Sequence, residues 1–246
     1  MSKTDDRKTM LLTGASRGIG HATVQYFSAK GWRVISCSRT EFTTKCPWGS
    51  GAENHVQIDL SDPQKTMAAI DDIKTKLNGR LDALVNNAGI SPKGPDGERL
   101  STIDTDLRAW GHVFHVNFFA PVVLARGLQA ELAAAKGAVV NVTSIAGSRV
   151  HPFAGAAYAT SKAALAALTR EMAHDFGPLG VRVNAIAPGE VETAILSPGT
   201  DKIVDQLPLR RLGQPEEVAA AIYFLCSEKS SYISGTEIEV NGAQHV

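Results

Sequence analysis

The residues with the clearest capacity for chemistry are Tyr158 and Lys162, which are four positions apart. On a helix this spacing places both side chains on one face, one turn apart. A free tyrosine has a pKa of about 10, and a lysine cation about 4 Å away favours the phenolate by up to about 4 kcal/mol at an effective dielectric of about 20. We therefore expect the pKa of Tyr158 to lie near neutral pH, which suits a general acid or base.

A hydroxyl group and an amide-rich turn stand where two short apolar runs end. Ser144 follows the run at 138–142, and the segment Asn86-Asn87-Ala88-Gly89 follows the run at 83–85. In an open parallel sheet, ligands bind beyond the carboxyl ends of the strands. Ser144 can therefore donate a hydrogen bond to an oxyanion that develops beside Tyr158.

The first apolar run is followed by a glycine-rich turn, Thr13-Gly14-Ala15-Ser16-Arg17-Gly18-Ile19-Gly20. Glycines allow the backbone to approach a pyrophosphate at the positive end of a helix. The spacing Gly-x-x-x-Gly-x-Gly differs from the commonest dinucleotide fingerprint, and a plain tight turn is the alternative interpretation. The strand before the turn and the helix after it favour a phosphate-binding loop.

The residues after the second apolar run indicate which dinucleotide is bound. An acidic residue there accepts hydrogen bonds from a ribose 2′-hydroxyl, whereas a basic one pairs with a 2′-phosphate. The run ends in Ser36-Cys37-Ser38-Arg39, and no carboxylate follows until Glu41. Arg17 can approach the same pocket. Two such contacts give a preference of about thirtyfold for NADP(H) over NAD(H). We therefore predict NADP(H) as the cofactor; the alternative is that Arg39 is a solvated surface residue.

Short β-branched runs alternate along the chain with longer stretches of helical periodicity. The runs predict seven strands, at residues 9–12, 33–36, 56–58, 83–85, 138–142, 181–186 and 237–240. The clearest helical patterns are at residues 19–30, 63–77, 156–176 and 215–226. This alternation predicts an α/β fold, a doubly wound, Rossmann-type, mostly parallel sheet with helices on both faces. We expect one domain spanning residues 1–246.

Two segments depart from this alternation. Residues 104–135 are helical in period but contain Gly111 and Pro121, so we predict one long helix with a kink near residues 117–121. Residues 190–213 have no clean period. A loop of that length in a compact domain favours a lid over the substrate.

Composition and charge exclude several classes of protein. The 246 residues carry 25 basic and 25 acidic side chains and are 43% hydrophobic, unlike a nucleic-acid-binding or a disordered chain. The N-terminus lacks the apolar stretch of a secretory signal, and the longest apolar run, 218–226, is about half a membrane span. The 3 cysteines are widely spaced, which disfavours disulfides and zinc sites. We expect a cytoplasmic protein without nucleic-acid, membrane or metal partners.

These motifs together resemble those of the short-chain dehydrogenase/reductase family, in its shorter, single-domain type. The resemblance covers almost the whole chain, and it implies a dinucleotide cofactor and hydride transfer between a carbonyl and an alcohol. Besides the segments quoted above, it rests on Tyr158-Ala159-Thr160-Ser161-Lys162, Asp59, Asn117, Pro188-Gly189, Thr193 and Asn241-Gly242.

The resemblance also implies a role for each motif residue. Tyr158 would be the general acid or base, Ser144 would hold the substrate oxygen, and Lys162 would bind the nicotinamide ribose. Asn117 would support a proton-relay water; the alternative is that it only stabilises the kink. Asp59 would contact the adenine, and Val191 with Thr193 would hold the carboxamide. The cofactor-binding residues implied are Gly14, Ser16, Arg17, Gly18, Ile19, Gly20, Ser38, Arg39, Asp59, Leu60, Asn87, Ala88, Gly89, Tyr158, Lys162, Pro188, Gly189, Val191 and Thr193.

Two features differ from the family pattern. Thirteen residues separate Ser144 from Tyr158, one more than in many members, which leaves the shape of the substrate pocket open. The C-terminal residues 241–246 lack the paired glycines often found there, and we expect them to contact a neighbouring subunit. The family implies a homotetramer, with the helices at 104–135 and 156–176 and the last strand as its contacts.

Three functions are compatible with these residues. The first is an NADP(H)-dependent oxidoreductase that interconverts a small-molecule carbonyl and a secondary alcohol. The second is a 3-oxoacyl-[acyl-carrier-protein] reductase, because residues 207–218 are similar to that segment of those enzymes. The third is a non-catalytic dinucleotide-binding regulator, which would not need the set Ser144, Tyr158, Lys162 and Asn117.

The substrate is expected to be recognised by residues 151–157 and by the lid. We interpret His151, in the loop between Ser144 and Tyr158, as a surface residue, with contact to substrate as the alternative.

Overall fold

The computed structural model describes residues 6–39, 51–193 and 204–246. Two features of the sequence analysis lie outside these ranges. One is Glu41, the first carboxylate after the second predicted strand, and the other is residues 194–203 of the predicted lid.

The strands are β1 (Thr9–Thr13), β2 (Arg33–Ser38), β3 (His55–Gln57), β4 (Ala83–Asn86), β5 (Ala138–Val142), β6 (Arg182–Pro188) and β7 (Glu237–Val240). They form one seven-stranded parallel sheet in the order β3-β2-β1-β4-β5-β6-β7. Every residue of β1, β4 and β5 is buried, because helices cover both faces of the sheet. The predicted doubly wound, Rossmann-type fold is confirmed.

The α-helices of the described residues are α1 (Gly18–Ala29), α2 (Pro63–Leu77), α3 (Leu107–Phe114), α4 (Ala120–Gly127), α5 (Gln129–Ala135), α6 (Ala156–Phe176) and α7 (Pro215–Cys226). Local signals fix their ends. The side chain of Asp62 accepts hydrogen bonds from the first turn of α2, and Asn78 ends that helix in the left-handed conformation. At α7, Gln214 and Glu217 form a capping box.

Alternate residues of the central strand pack against different layers of helices. Leu11 of β1 shares a core cluster with Ile73 of α2 and Leu124 of α4. Its neighbours Met10 and Leu12 belong to a second cluster, which is built with α1 and α7. The sheet is therefore the middle of three layers, and loops extend from the ends of its strands.

The segment predicted as one long helix is instead α3, α4 and α5, and the prediction was wrong about the bend. Residues His115–Phe119 form a π-helical turn between α3 and α4, so the irregularity at Asn117 is a bulge in a continuing helix. Pro121, which has no backbone N–H to donate, lies directly after this turn, at the second position of α4. The sharp bend, of 62°, lies after Gly127.

Gly127 is the last residue before that bend and packs close to α2. A Cβ atom there would lie 2.2 Å from Cδ1 of Ile70, so a larger residue would require the Ile70 side chain to move. Leu128, with φ of −107° and ψ of 14°, then interrupts the helix.

The order of the strands fixes where a ligand can bind. β1 pairs with β2 on one side and with β4 on the other, so the direction of chain crossover changes between β1 and β4. A crevice opens at such a point beyond the carboxyl ends of the strands. The glycine turn follows β1, and Asn87 follows β4, so both predicted motifs meet there.

Length and apolar composition decide whether a helix could cross a membrane, and grouped acidic, His or Cys side chains decide whether a metal ion could be held. No single helix in the described ranges has the length and apolar composition to cross a membrane, although the bent pair Leu107–Gly127 and Gln129–Ala135 does so jointly by these two measures. In the same ranges, no three His, Cys, Asp or Glu side chains are grouped to hold a metal ion.

Candidate active site

The glycine turn adopts a shape that side chains would prevent. Gly14 and Gly18 have φ of +74° and +56°, in the left-handed region that favours glycine. A Cβ atom on Gly20 would lie 2.1 Å from the carbonyl oxygen of Gly14. The turn thus brings bare backbone to the N-terminus of α1, where an anion is favoured.

Hydrogen bonds join this turn to the end of β4. The side-chain Nδ2 of Asn87 donates to the carbonyl oxygens of Thr13 and Gly14, both at 3.0 Å. In return, the hydroxyl of Thr13 accepts from the backbone N–H groups of Asn87 and Ala88. The two motifs therefore form one rigid floor for the crevice.

Two arginines, Arg17 and Arg39, flank the end of the crevice that is opposite Tyr158. Both are exposed, and in the described part of the chain neither makes an ion pair within 4.0 Å. Nearby, the hydroxyl and backbone N–H of Ser61 donate to Asp59 and lower its pKa, with a further contribution from Arg39. This end offers two cations and a carboxylate acceptor, which suits a phosphorylated adenosine.

Tyr158 and Lys162 lie in the first two turns of α6, beside the end of β5. Lys162 is 3% exposed, and its Nζ donates to the carbonyl oxygen of Val142 at 2.6 Å. Burial lowers the pKa of Lys162 to about 8. Nζ lies 5.7 Å from the centre of the Tyr158 ring.

The expected lowering of the Tyr158 pKa is wrong for this structure. Burial raises the pKa of Tyr158, a hydrogen bond with Ser144 offsets part of that rise, and the charge of Glu190 adds to it. Lys162 is not among the groups that shift this pKa, and the rise caused by burial prevails. Tyr158 is thus held as the neutral phenol, the form that can donate a proton.

Asn117 lies beneath the crevice, fully buried in the π-helical turn. Its Oδ1 accepts from the N–H of Ile90 at 2.9 Å, and its Nδ2 donates to the carbonyl of Ile90 and to the hydroxyl of Ser161, each at 3.0 Å. Ser161 in turn donates to the carbonyl of Tyr158 at 2.7 Å. Asn117 therefore connects the segment after β4 to the turn of α6 that carries Tyr158. Sequence reasoning did not identify Ser161 as the link.

The other predicted cofactor residues line the same crevice. Thr193 closes over the glycine turn, since its Cγ2 would lie 3.0 Å from a Cβ on Gly18. Residues at the two ends of the predicted lid are joined, because Val191 forms a bridge with Gly213. The lining includes Ser16, Ile19, Ser38, Leu60, Gly89, Ser144, Pro188, Gly189 and Val191. Of the predicted site residues, Asn117 alone is absent from this lining.

Phe153 and Glu190, from the two segments predicted to recognise the substrate, line the same crevice as Tyr158, and so do Lys93 and His112, which were not predicted. His151 joins them, so its interpretation as a surface residue is wrong. Its side chain is 12% exposed, and Nε2 lies 2.9 Å from Oε1 of Glu190, whose side chain is 10% exposed. The useful signal was position, because His151 and Glu190 follow the neighbouring strands β5 and β6.

The C-terminal residues pack against their own chain at this site. The side-chain Oε1 of Gln244 accepts from the N–H of Glu190 at 2.7 Å. It lies where a side chain on Gly189 would be, 2.0 Å from the position of a Cβ. Gln244 thus supports the end of β6, a contact other than the neighbouring subunit expected from the sequence.

The donor set of the crevice fits a dinucleotide. One end has bare backbone and the helix N-terminus of the glycine turn for a pyrophosphate, and the other end brings Ser144, Tyr158 and Lys162 together. Between them, Gly89 has no room for a side chain, since a Cβ there would lie 3.3 Å from Nζ of Lys162. Extended between these ends, a dinucleotide would bring its reactive ring to the Tyr158 end.

Comparison with known proteins agrees with this geometry. A family model described as enoyl-(acyl carrier protein) reductase matches residues 14–245. The chain is 58% identical over 242 residues to Protein FixR from Bradyrhizobium diazoefficiens, covering 97% of this chain and 87% of FixR. It is 35% identical over 250 residues to the 3-oxoacyl-[acyl-carrier-protein] reductase FabG from Aquifex aeolicus, covering 96% of each.

A solved structure provides a further match. It is an oxidoreductase of the short chain dehydrogenase/reductase family from Brucella ovis, in complex with a partially ordered NAD, with 58% sequence identity. The match covers 96% of this chain and 100% of that one, with a TM-score of 0.85. On the strength of these matches along nearly its whole length, the chain belongs to the short-chain dehydrogenase/reductase family of oxidoreductases.

Proposed function

We propose that this protein is an NADP(H)-dependent oxidoreductase that interconverts a small-molecule carbonyl and a secondary alcohol, with Tyr158 as general acid or base. The observation that carries the proposal is the convergence of Tyr158, Ser144 and Lys162 at one end of a crevice. The other end of the same crevice has the glycine turn with Arg17 and Arg39.

In the direction of reduction, the chain's own groups act on the substrate oxygen. The hydroxyl of Ser144 donates to the carbonyl oxygen and stabilises the charge that develops on it. The raised pKa keeps Tyr158 protonated near neutral pH, so its phenol can deliver the proton. When bound, the dinucleotide supplies or accepts the hydride at the reacting carbon.

In this mechanism, Lys162 binds and orients the cofactor. Its ammonium has three donors, of which one is used on Val142. The two others can reach the nicotinamide ribose and the region of the Tyr158 oxygen. As a cation beside the phenol, Lys162 also stabilises the phenolate that forms once the proton has left.

We assign Asn117 a positioning role in the same mechanism. Its side-chain amide makes three hydrogen bonds, two with the backbone of Ile90 and one with the hydroxyl of Ser161. These bonds fix the turn of α6 that carries Tyr158. Support of a proton-relay water by Asn117 stays a prediction; it would use the second lone pair of Oδ1 or the backbone of the π-helical turn.

The preference for NADP(H) rests on charge at the adenosine end. Arg17 and Arg39 can pair with a 2′-phosphate, and β2 ends without a carboxylate in the described residues. The Brucella ovis protein holds NAD, so NAD(H) is the competing cofactor.

A second candidate function is reduction of a 3-oxoacyl group carried on acyl carrier protein. It is favoured by the match to the Aquifex aeolicus reductase over 96% of both chains. The chemistry at Tyr158 would be the same, and only the group that follows the carbonyl would differ.

We further propose that the protein assembles as a homotetramer. The face of α3 and the π-helical turn leaves apolar side chains in solvent: Leu107 is 87% exposed and Phe119 is 46% exposed. Trp110, Phe114 and Phe118 continue this face as neighbouring rings. A partner that covered this aromatic face would remove it from water.

Turnover of a substrate panel tests the proposed function. Purified protein is mixed with NADPH or NADH and with ketones, aldehydes, quinones and 3-oxoacyl thioesters, and absorbance at the nicotinamide band is followed. We expect consumption of NADPH with at least one carbonyl class. Tight dinucleotide binding without turnover on any class would support a regulator instead.

A further inference from the structure

The substrate end of the crevice contains a cation that the proposed mechanism does not use. Lys93 lines the crevice together with Phe153 and Tyr158. It follows the segment Asn86-Asn87-Ala88-Gly89 by four residues and contacts Phe153, in the loop that leads into the helix of Tyr158. Its ammonium is partly withdrawn from water, and burial lowers its pKa.

Backbone contacts hold Lys93 in place. It forms an antiparallel bridge with Arg99, and the N–H of Gly94 donates to the carbonyl of Glu98 at 3.1 Å. This small turn packs on the loop before α6, where the N–H of Ala156 donates to the carbonyl of Leu100. Nζ of Lys93 donates to the carbonyl oxygen of Phe153 in that loop. The ammonium is thus fixed close to the helix that carries Tyr158.

The nearest carboxylate is engaged elsewhere. Oε1 of Glu190 lies 2.9 Å from Nε2 of His151. The N–H of Phe153 donates to Nδ1 of His151 at 3.3 Å, which leaves Nε2 as the nitrogen that carries the proton toward Glu190. In the described ranges, no carboxylate lies within 4.0 Å of Nζ of Lys93, although Glu190 is close enough to favour its cationic form.

An ammonium has three donors, and Lys93 uses one of them. A long apolar acyl chain in this end of the crevice would cover the remaining two without replacing their water, which is costly. An anionic oxygen would satisfy them by charge-assisted hydrogen bonds. The charged or titratable groups that share this end are Glu190, His151, His112, Tyr158 and Lys162.

We propose that the substrate carries a carboxylate in addition to the reacting carbonyl, and that Lys93 binds this carboxylate by an ion pair. The substrate class is thus an oxo acid and the product the corresponding hydroxy acid. This inference rests on the proposed function of the site. It adds that Lys93 determines specificity.

Matched substrates test the role of Lys93 directly. Oxo acids with one to four carbons between the carbonyl and the carboxylate are each paired with their neutral amide, and a neutral 3-oxoacyl thioester is added. The quantity measured is the ratio of kcat/KM for acid and amide in the wild type, in Lys93→Met and in Lys229→Met. Met keeps the length of the side chain, and Lys229 is an exposed lysine after α7 that serves as the control.

We expect the wild type to prefer at least one acid over its amide by about tenfold or more. The preference should be lost in Lys93→Met and retained in Lys229→Met. Equal kcat/KM for acids and amides in the wild type, or an unchanged preference in Lys93→Met, would overturn the assignment while leaving carbonyl reduction intact.

Equilibrium binding separates this inference from the proposed function. If no compound is turned over, the same acids and amides are titrated into the dinucleotide-loaded protein. Tighter binding of the acids that depends on Lys93 supports the inference even then. Equal binding of acids and amides contradicts it.

Discussion

At the scale of single residues, Lys162 is a catalytic-site group whose protonation the fold changes strongly. Its pKa is about 8 in the folded protein, against 10.5 for an ordinary lysine, because burial disfavours the ammonium. The unfolded chain therefore binds more protons than the folded one between these two pH values. In that window, the contribution of Lys162 to stability increases as the pH rises.

This sign leads to a prediction for unfolding. The free energy of unfolding of the wild type, relative to Lys162→Met, should increase by up to about 3 kcal/mol between pH 7.5 and pH 10.5. The contribution is complete above the unfolded pKa and is lost as the pH falls through about 8. Urea denaturation of both proteins at several pH values measures it. A difference between the two proteins that does not vary with pH would contradict the buried ammonium.

Arg39 is the second residue whose charge has a measurable consequence. If it pairs with the 2′-phosphate, Arg39→Ala should lower kcat/KM for NADPH by about fivefold while leaving that for NADH nearly unchanged. Arg170→Ala, which removes an exposed arginine from α6, is the control. A wild-type enzyme that prefers NADH, or an equal loss with both cofactors in Arg39→Ala, would refute the assignment of NADP(H).

At the scale of elements, the glycine turn and the strand ends act as one unit. In Gly20→Ala the new methyl group would lie 2.1 Å from the carbonyl oxygen of Gly14, and the backbone has to move. We expect a loss of stability of about 3 kcal/mol, a Tm lower by about 6 °C or more, and weaker dinucleotide binding.

Gly111→Ala provides the matched control for that substitution. Gly111 lies inside α3, and a Cβ there would meet no atom within 4 Å. This variant should gain up to about 1 kcal/mol, since alanine loses less backbone entropy on folding. Thermal melts with and without NADPH, measured on both variants, test the pair. A Gly20→Ala protein with wild-type Tm and affinity would show that the close approach of Gly14 and Gly20 is not required.

Elements with strong end signals were predictable from the sequence. α2 and α7 have the predicted bounds, because Asp62 with Pro63 and Gln214 with Pro215 mark their starts. The helical stretch around Asn117 was not predictable in detail. Its π-helical turn contains Asn117, whose side chain bonds to Ile90 and Ser161 in distant parts of the chain, and local sequence does not show such contacts.

The residues of the site also include some that the sequence could locate and some that it could not. Ser144, Tyr158, Lys162 and the glycine turn could be located because they belong to motifs with fixed spacing. Lys93, His151 and Glu190 come from three separate loops, and no local pattern relates them. The pKa of Tyr158 was mispredicted, because spacing alone gives the distance to Lys162 and not the burial of both groups.

At the scale of the whole molecule, the sheet provides a fixed support. The loops beyond the carboxyl ends of its strands recognise the substrate in the proposed function. We propose that the protein functions as a single domain. The segment between Val191 and Gly213, two residues that form a β-bridge, would be its lid. The aromatic face of α3 and the π-helical turn is proposed as the surface for assembly.

Assembly through that face has a direct consequence. Phe119→Glu would place a charge on the surface that a partner covers, so the mass in solution should fall from that of a tetramer to a smaller species. Met67→Glu is the control, since Met67 is exposed on α2. Light scattering coupled to size-exclusion chromatography measures both variants. A Phe119→Glu protein with the mass of the wild type would exclude this face as a contact.

In the proposed mechanism, Tyr158 transfers the proton in a dinucleotide-dependent carbonyl reduction. The most direct measurement is kcat of Tyr158→Phe on the best carbonyl of the panel, together with its affinity for NADPH from nicotinamide fluorescence. Tyr232→Phe, at a fully exposed tyrosine, is the control. We predict that kcat falls by about a hundredfold or more in Tyr158→Phe, while NADPH affinity and the control stay near wild type. A Tyr158→Phe enzyme with near-normal kcat would contradict the mechanism.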